Sequence, residues 1–302
     1  MDWGNVSYKD FPPGWGHLMI PIHSRAAALA GLSLFTPCTG RSVWTHRAAW
    51  FATRILGHHA LLGRVSYWNN PFAETTTKLL TNRLVKSIGV FDSIAGYQRL
   101  QPGRQGLTLL LLNRSKAVGF LKLREGDSES LHREYEALTM LALSKPRTFS
   151  TPSVIDYGSI QEWHFLLTTA LPSAPHRVPH APAIRQIVTE IETALSTMHR
   201  PTSISDTWRP MHGDLTPWNL RRLRNGRLTL FDWEETSWGP EGADEVLYRA
   251  TEAALSGRKA SPSRATEAIW FWRTLFTERP DRTKRDIRLK ASVLKALAEM
   301  EL

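Results

Sequence analysis

The stretch Arg209–Leu220, RPMHGDLTPWNL, decides the fold. It sets His212, Asp214 and Asn219 in a His-x-Asp-x4-Asn spacing, with Pro217 lying between the last two. A proline there removes a backbone donor and clashes with the preceding turn, so the segment is a structured loop and not a helix. Thirteen residues beyond Asn219, Asp232 ends the apolar run LTLFD. A strand that delivers a carboxylate to its end, beside a loop carrying Asp and Asn, suits a divalent cation and a phosphate. Mg²⁺ takes hard oxygen ligands, commonly one or two carboxylates plus substrate phosphates. Asn219 and Asp232 supply such oxygens, and Asp214 is placed to accept the proton of an attacking hydroxyl.

Phosphoryl transfer needs two further parts upstream, a lysine on a strand and a glutamate on the helix that follows. Lys122 lies in GFLKLRE, where alternation puts Phe120 and Lys122 on one face and Leu121 and Leu123 on the other. The next segment, DSESLHREYEALTMLALSK, has an acid-rich, serine-containing start and reads as a helix. Its apolar stripe carries Leu131, Leu138 and Leu141, with Glu134 on the stripe and Glu136 well off it. A carboxylate on a core-facing stripe requires a partner, because an unpaired buried charge is costly. Lys122 is the natural partner, which selects Glu134 over Glu136.

Outward from these parts the chain reads as α+β. Short apolar runs, IGVF, LTLLLL and AVGFLKL, are separated by QPGRQG and NRSK, as in an antiparallel meander. The runs SVIDYGSI and WHFLLTTAL add strands, and a Pro- and His-containing loop follows at 172–182. AIRQIVTEIETALSTMHR is amphipathic, with Ile184, Ile187, Ile191, Leu195 and Met198 on one stripe. LRRLRNGRLTLFDWEE is a hairpin turning at Asn225-Gly226, and the remainder from about 242 is largely helical. Strands first and helices later argue two lobes, with the seam near 169–174. The expected division is an aromatic, basic helical extension (1–86), an N-lobe (87–171) and a helical C-lobe (172–302).

Bulk properties narrow the function class. The chain has 302 residues, 42% of them hydrophobic and 22% charged, as in ordinary globular proteins. No apolar run reaches the roughly 18 residues of a membrane span. The start MDWGNVSYKD lacks a basic n-region and an apolar h-region, so a cytoplasmic enzyme is expected. The single cysteine, Cys38, excludes an internal disulfide framework and a cysteine-based zinc cluster. The formal net charge is +10, yet the basic residues are dispersed. The one basic run, Arg279 to Lys290, is interrupted by Asp281 and Asp286 and reads as a solvated helix face, so no nucleic-acid partner is expected. Within 1–86, SVWTHRAAWFATRILGHHALLGRV reads as an amphipathic helix, with Trp44, Phe51, Ile55 and Leu62 at helical spacing and Arg47, Arg54 and His58 on another face. Such a helix suits a membrane surface. The simpler expectation is that it docks on the rest of the fold.

HGDLTPWNL followed by LFDWEE resembles the aminoglycoside phosphotransferase and choline kinase-like family, small-molecule relatives of the protein kinases. REYEALTML is similar to that family's N-lobe helix and GFLKL to its lysine strand, and the resemblance covers about 88–250. It implies a two-lobed protein-kinase-like fold and a phosphotransferase that uses ATP or GTP with Mg²⁺ and a small-molecule hydroxyl acceptor. By the same resemblance Asp214 is the catalytic base or hydroxyl orienter and His212, grouped with it, braces the loop. Asn219 and Asp232 hold Mg²⁺, Lys122 contacts the α/β-phosphates with Glu134 positioning it, and the backbone at Thr169, Ala170 and Leu171 receives the adenine. Asp244 matches a supporting element. No G-x-G-x-x-G precedes Lys122, and LQPGRQGL stands as the phosphate-covering turn. The lack of an A-P-E-like end to an activation segment speaks against a protein kinase.

Two features stay open. Trp218 offers a platform for a sugar or cationic group, and equally packs the loop. From Asp232 to Glu245 there are six acids and no Lys or Arg, enough to attract a cationic acceptor or simply to form a solvated turn. The alternative function is a catalytically weak, nucleotide-binding module acting at a membrane surface or on a partner through 1–86.

Overall fold

The computed structural model describes residues 6–13, 18–34, 37, 40–101, 104–126, 128–174, 176–180, 182–280 and 284–301. By its contacts the chain divides into two compact units, Met1–Tyr135 with Pro152–His176, and Glu136–Thr151 with Arg177–Leu302. One boundary lies inside a helix. Another lies between His176 and Arg177, beyond the seam expected at 169–174.

The first unit begins with β1 (Ser7–Asp10) and β2 (Leu18–Pro21), then α1 (Arg25–Ser33) and α2 (Gly40–Leu56). β3 (Val65–Tyr67) and α3 (Glu74–Ile88) lead into the meander β4 (Ser93–Gln101), β5 (Arg104–Asn113) and β6 (Lys116–Glu125). Next come α4 (Glu129–Ser144), β7 (Val154–Ile160) and β8 (Trp163–Thr168). These eight strands form one antiparallel sheet in the order β3-β1-β2-β4-β5-β6-β8-β7. Alternation sorts its side chains. Leu109, Leu111, Leu121, Leu123 and Leu167 face a core completed by Leu80 and Leu84 of α3. Leu110 and Leu112 face the opposite side, under Ala27 and Ala30 of α1, where small side chains let the helix lie close. Each fully buried leucine contributes about 1.5–3 kcal/mol relative to exposure, so the two faces together account for much of the unit's stability.

Three findings depart from the sequence reading. IGVF (88–91) is not a strand. It holds the end of α3 and its exit turn, and the first meander strand starts at Ser93. Residues 6–86 are not only helical, since they extend the sheet by β1, β2 and β3. Finally, α2 stops at Leu56, where Gly57 takes φ +80, and it docks by an unexpected face. His46, Trp50 and Thr53 are buried, whereas Trp44, Phe51 and Ile55 are 72%, 57% and 74% exposed. Trp50 packs with Phe11, Leu18, Ile20 and Leu32, and His46 Nε2 lies 2.7 Å from the Leu32 carbonyl of α1. Those two anchors set the rotation of the helix.

The second unit takes α4 from Glu136 onward, then α5 (Ile184–Ala194), β9 (Arg209–Met211), β10 (Leu220–Arg222), β11 (Leu228–Leu230) and β12 (Ser237–Gly239). It closes with α6 (Ala243–Ser256), α7 (Thr266–Glu278) and α8 (Lys284–Met300). β10 and β11 form the expected hairpin, with Leu220 opposite Leu230. β9 pairs with β12, so both ends of the 212–236 segment are clamped together. Met211 joins Val246, Leu247, Ile269 and Leu297 in the helical core. The chain is α+β. Among the described residues no helix is long and apolar enough to cross a membrane.

Candidate active site

His212–Asn219 links β9 to β10, and four side chains lock it. His212 is fully buried. Its Nδ1 accepts the Asp214 N–H at 3.1 Å, which leaves the proton on Nε2, 3.3 Å from the Phe231 carbonyl. Trp233 packs on the imidazole at 4.4 Å between ring centroids. Both ring nitrogens thus face backbone groups of the loop and of the segment after β11. Asp244, at the start of α6, is buried and accepts the N–H groups of His212 (2.7 Å) and Gly213 (3.1 Å), one on each oxygen. Gly213 has φ +78, and a Cβ there would run into the Glu235 carbonyl. Only glycine meets both demands.

That bracing delivers Asp214. Asn219 Nδ2 donates to Asp214 Oδ2 at 2.8 Å and to its carbonyl at 2.9 Å, fixing the carboxylate against its own loop. Burial, and next the negative charge of Asp232, push the Asp214 carboxyl up to about 7 against the pull of the Asn219 hydrogen bond. Asp232 follows β11 in a left-handed conformation, φ +70, which aspartate tolerates better than most residues. Burial likewise pushes Asp244 up to about 7, opposed by its two amide donors. The donor set of Asn219 and Asp232 fits Mg²⁺. Nδ2 of the amide is committed to Asp214, leaving Oδ1 as its oxygen ligand, and a dication would relieve the repulsion between the two carboxylates.

In the first unit, Lys122 Nζ lies 2.7 Å from Glu134 Oε2. Both are buried, and Glu136 is exposed. Lys122 stands opposite Thr108 on β5 and Leu166 on β8, so two strands hold its backbone. Thr169 is tied to Ser153 twice, by its N–H to the Ser153 carbonyl and by its hydroxyl to the Ser153 N–H, each at 2.9 Å. Ala170 packs against the α1 face of the sheet, and Leu171 is half-buried. Of LQPGRQGL, residues 102–103 lie outside the described residues, as does Cys38.

The acidic stretch is less available than its composition suggests. Asp244 serves the loop amides, and Glu245 bonds Arg185 at 3.0 Å and Arg249 at 2.5 Å. Glu234 is buried, which leaves Glu235 half-buried and Glu241 exposed. Trp218 is half-buried. Trp238 donates to the His199 carbonyl at 3.0 Å under the Arg200 guanidinium, so it is structural. Asp244, which the resemblance gives as a supporting element, does support this loop, although 32 residues separate it from His212.

No family model and no curated protein matches the chain. Solved structures do match, at low identity. A putative fructosamine-3-kinase from Haemophilus somnus is 12% identical over 73% of this chain and 96% of its own, at a TM-score of 0.43. A choline kinase from Streptococcus pneumoniae is 14% identical over 74% and 99%, at 0.42. An aminoglycoside phosphotransferase from Streptomyces rimosus is 12% identical over 76% and 99%, at 0.40. These are enzymes of the kind that the 209–220 motif resembles. Identity and score are low, and the geometry of the site has to carry the functional reading.

Proposed function

We propose that the protein is a small-molecule kinase that moves the γ-phosphoryl group of ATP or GTP to a hydroxyl of a small acceptor. The carrying observation is the Asp214 carboxyl, fixed by Asn219, raised toward neutrality by burial and Asp232, and presented by a loop braced through the His212 imidazole and the amides of His212, Gly213 and Asp214. A carboxyl near the working pH is suited to orient a hydroxyl and take its proton. Asn219 and Asp232 would hold Mg²⁺, which supplies charge neutralisation on the phosphates. Lys122, kept in place by Glu134, would bind nucleotide phosphates as a point charge. The backbone at Thr169, Ala170 and Leu171 would receive the base, with the Thr169 N–H already given to the Ser153 carbonyl. Glu235 and Glu241 favour a cationic acceptor, such as an amino alcohol or aminosugar.

The test is nucleotide consumption across hydroxylated amines, sugars and antibiotics with Mg²⁺ present, using Asp214→Ala as the control. Acceptor-dependent turnover lost in Asp214→Ala supports the reading. Turnover unchanged by that substitution overturns it.

A further inference from the structure

The apolar stripe of α2 faces solvent. Trp44, Ala48, Phe51 and Ile55 follow one another at helical spacing, and all are exposed. Leu56, the last residue of the helix, and Leu62, beyond it, are 68% and 76% exposed. The strip continues onto the sheet edge. Lys9, opposite Val65 in the β1–β3 register, donates to the Leu61 carbonyl, and Val65 and Tyr67 are exposed beside it. A monomer rarely leaves so many large apolar groups together in water.

The charge along this part of the sequence is mostly of one sign. From Phe11 to Ala73 the sequence contains Arg25, Arg41, Arg47, Arg54 and Arg64 and no Asp or Glu. Arg54 lies over the Trp50 ring, 5.4 Å from its centroid, and Arg25 reaches the Arg54 carbonyl at 3.5 Å, gathering two guanidinium groups at the C-terminal end of α2. Arg64 is exposed near Leu62 and Val65.

We infer that α2 and the adjoining β3 edge form a peripheral docking surface for an anionic lipid bilayer. Trp44, Phe51 and Ile55 enter the headgroup–acyl boundary, and the arginines meet lipid phosphates. An amphipathic helix with tryptophan and leucine on one face and arginine beside it binds in this manner. A protein partner of mixed charge would meet an excess of positive charge, with Arg25, Arg47, Arg54 and Arg64 set against Asp10. Helix α2 keeps its own anchors, His46, Trp50 and Thr53, on the opposite side, so docking needs no rearrangement. The inference does not depend on the phosphotransferase reading.

Flotation of the full chain with phosphatidylcholine vesicles, with and without about 30% phosphatidylglycerol, tests it. Binding is expected only with the anionic lipid. It should weaken about fivefold for each of Arg47→Gln and Arg54→Gln, and be lost at salt that cuts the Debye length to about 3 Å. Phe51→Glu with Ile55→Glu should abolish binding while circular dichroism and melting temperature stay unchanged, since both positions are exposed. Absence of flotation at low salt overturns the inference, as does equal binding to neutral vesicles. Concentration-dependent dimerisation abolished by the same double variant, with no lipid binding, assigns the strip to a second copy and also overturns it.

Discussion

In the sheet-based unit, Lys122 and Glu134 bury one charge of each sign and meet at 2.7 Å. The helical unit instead brings Asp214 close enough to Asp232 for their repulsion to raise its pKa, and buries Asp244 against two amides. In the first arrangement each buried charge meets one of opposite sign, which offsets part of its cost of desolvation. The second is short of positive charge and becomes comfortable only when a proton or a cation arrives. An ion pair keeps a side chain in position, whereas an open cluster of like charge invites a cation.

The sharpest way to break this contrast is Asp214→Ala, expected to lower turnover by roughly 10²–10⁴-fold with the fold intact; steady-state kinetics beside circular dichroism would show it. In the buried ion pair, Glu134→Ala removes the carboxylate that meets Lys122 and should cost about 3–5 kcal/mol, read from urea midpoints. Lys122→Met with Glu134→Leu should restore most of that stability without restoring nucleotide use. Recovery of both would show that the pair is structural only.

The open cluster makes a pH prediction of definite sign. A carboxyl raised on folding from 3.8 to about 7, as for Asp244, stabilises the fold fully below its unfolded pKa, and loses that contribution as pH rises through about 7. Thermal stability should therefore fall between about pH 4 and 8, by on the order of a few kcal/mol, and Mg²⁺ should flatten the part due to Asp214. Asp244→Asn should flatten the remainder. It should also destabilise at every pH, because its amide opposes a backbone N–H with another donor. Gly213→Ala should cost roughly 1–3 kcal/mol from its left-handed backbone, and more from the Glu235 carbonyl.

The smallest effect belongs to Asp156, whose carboxyl is held below the usual range first by the Arg83 guanidinium on α3, at 2.6 Å. Stability from this contact is present above the unfolded pKa and lost as pH falls through the folded one. Arg83→Ala should therefore shift the acid limb of unfolding slightly upward in pH, opposite in sign to the Asp244 effect.

Much of the helical unit was legible because its signals are local. Pro217 excludes a helix, Asn225-Gly226 turns the β10–β11 hairpin, and Ile184, Ile187 and Ile191 mark the buried stripe of α5. Helix geometry alone puts Glu134 on the buried stripe and Glu136 off it, and the ion pair with Lys122 follows from the cost of burying one charge by itself. Residues 6–86 were far less legible. Their strands pair with partners distant in the chain, β1 with β3 and β2 with β4, and three- or four-residue strands carry almost no periodicity of their own.

The sequence by itself determined the order of chemical parts: a lysine strand, a glutamate helix, a braced Asp loop with its Asn, and a strand-borne Asp. Tertiary structure decided which amides Asp244 holds and which way α2 faces. Periodicity identifies an apolar stripe but not its partner. Trp50 and His46 had neighbours to pack against, so α2 turned its larger stripe outward. Asp244 found the amides of His212 and Gly213 only because folding brings the start of α6 beside β9 and β12, a juxtaposition that no local pattern records.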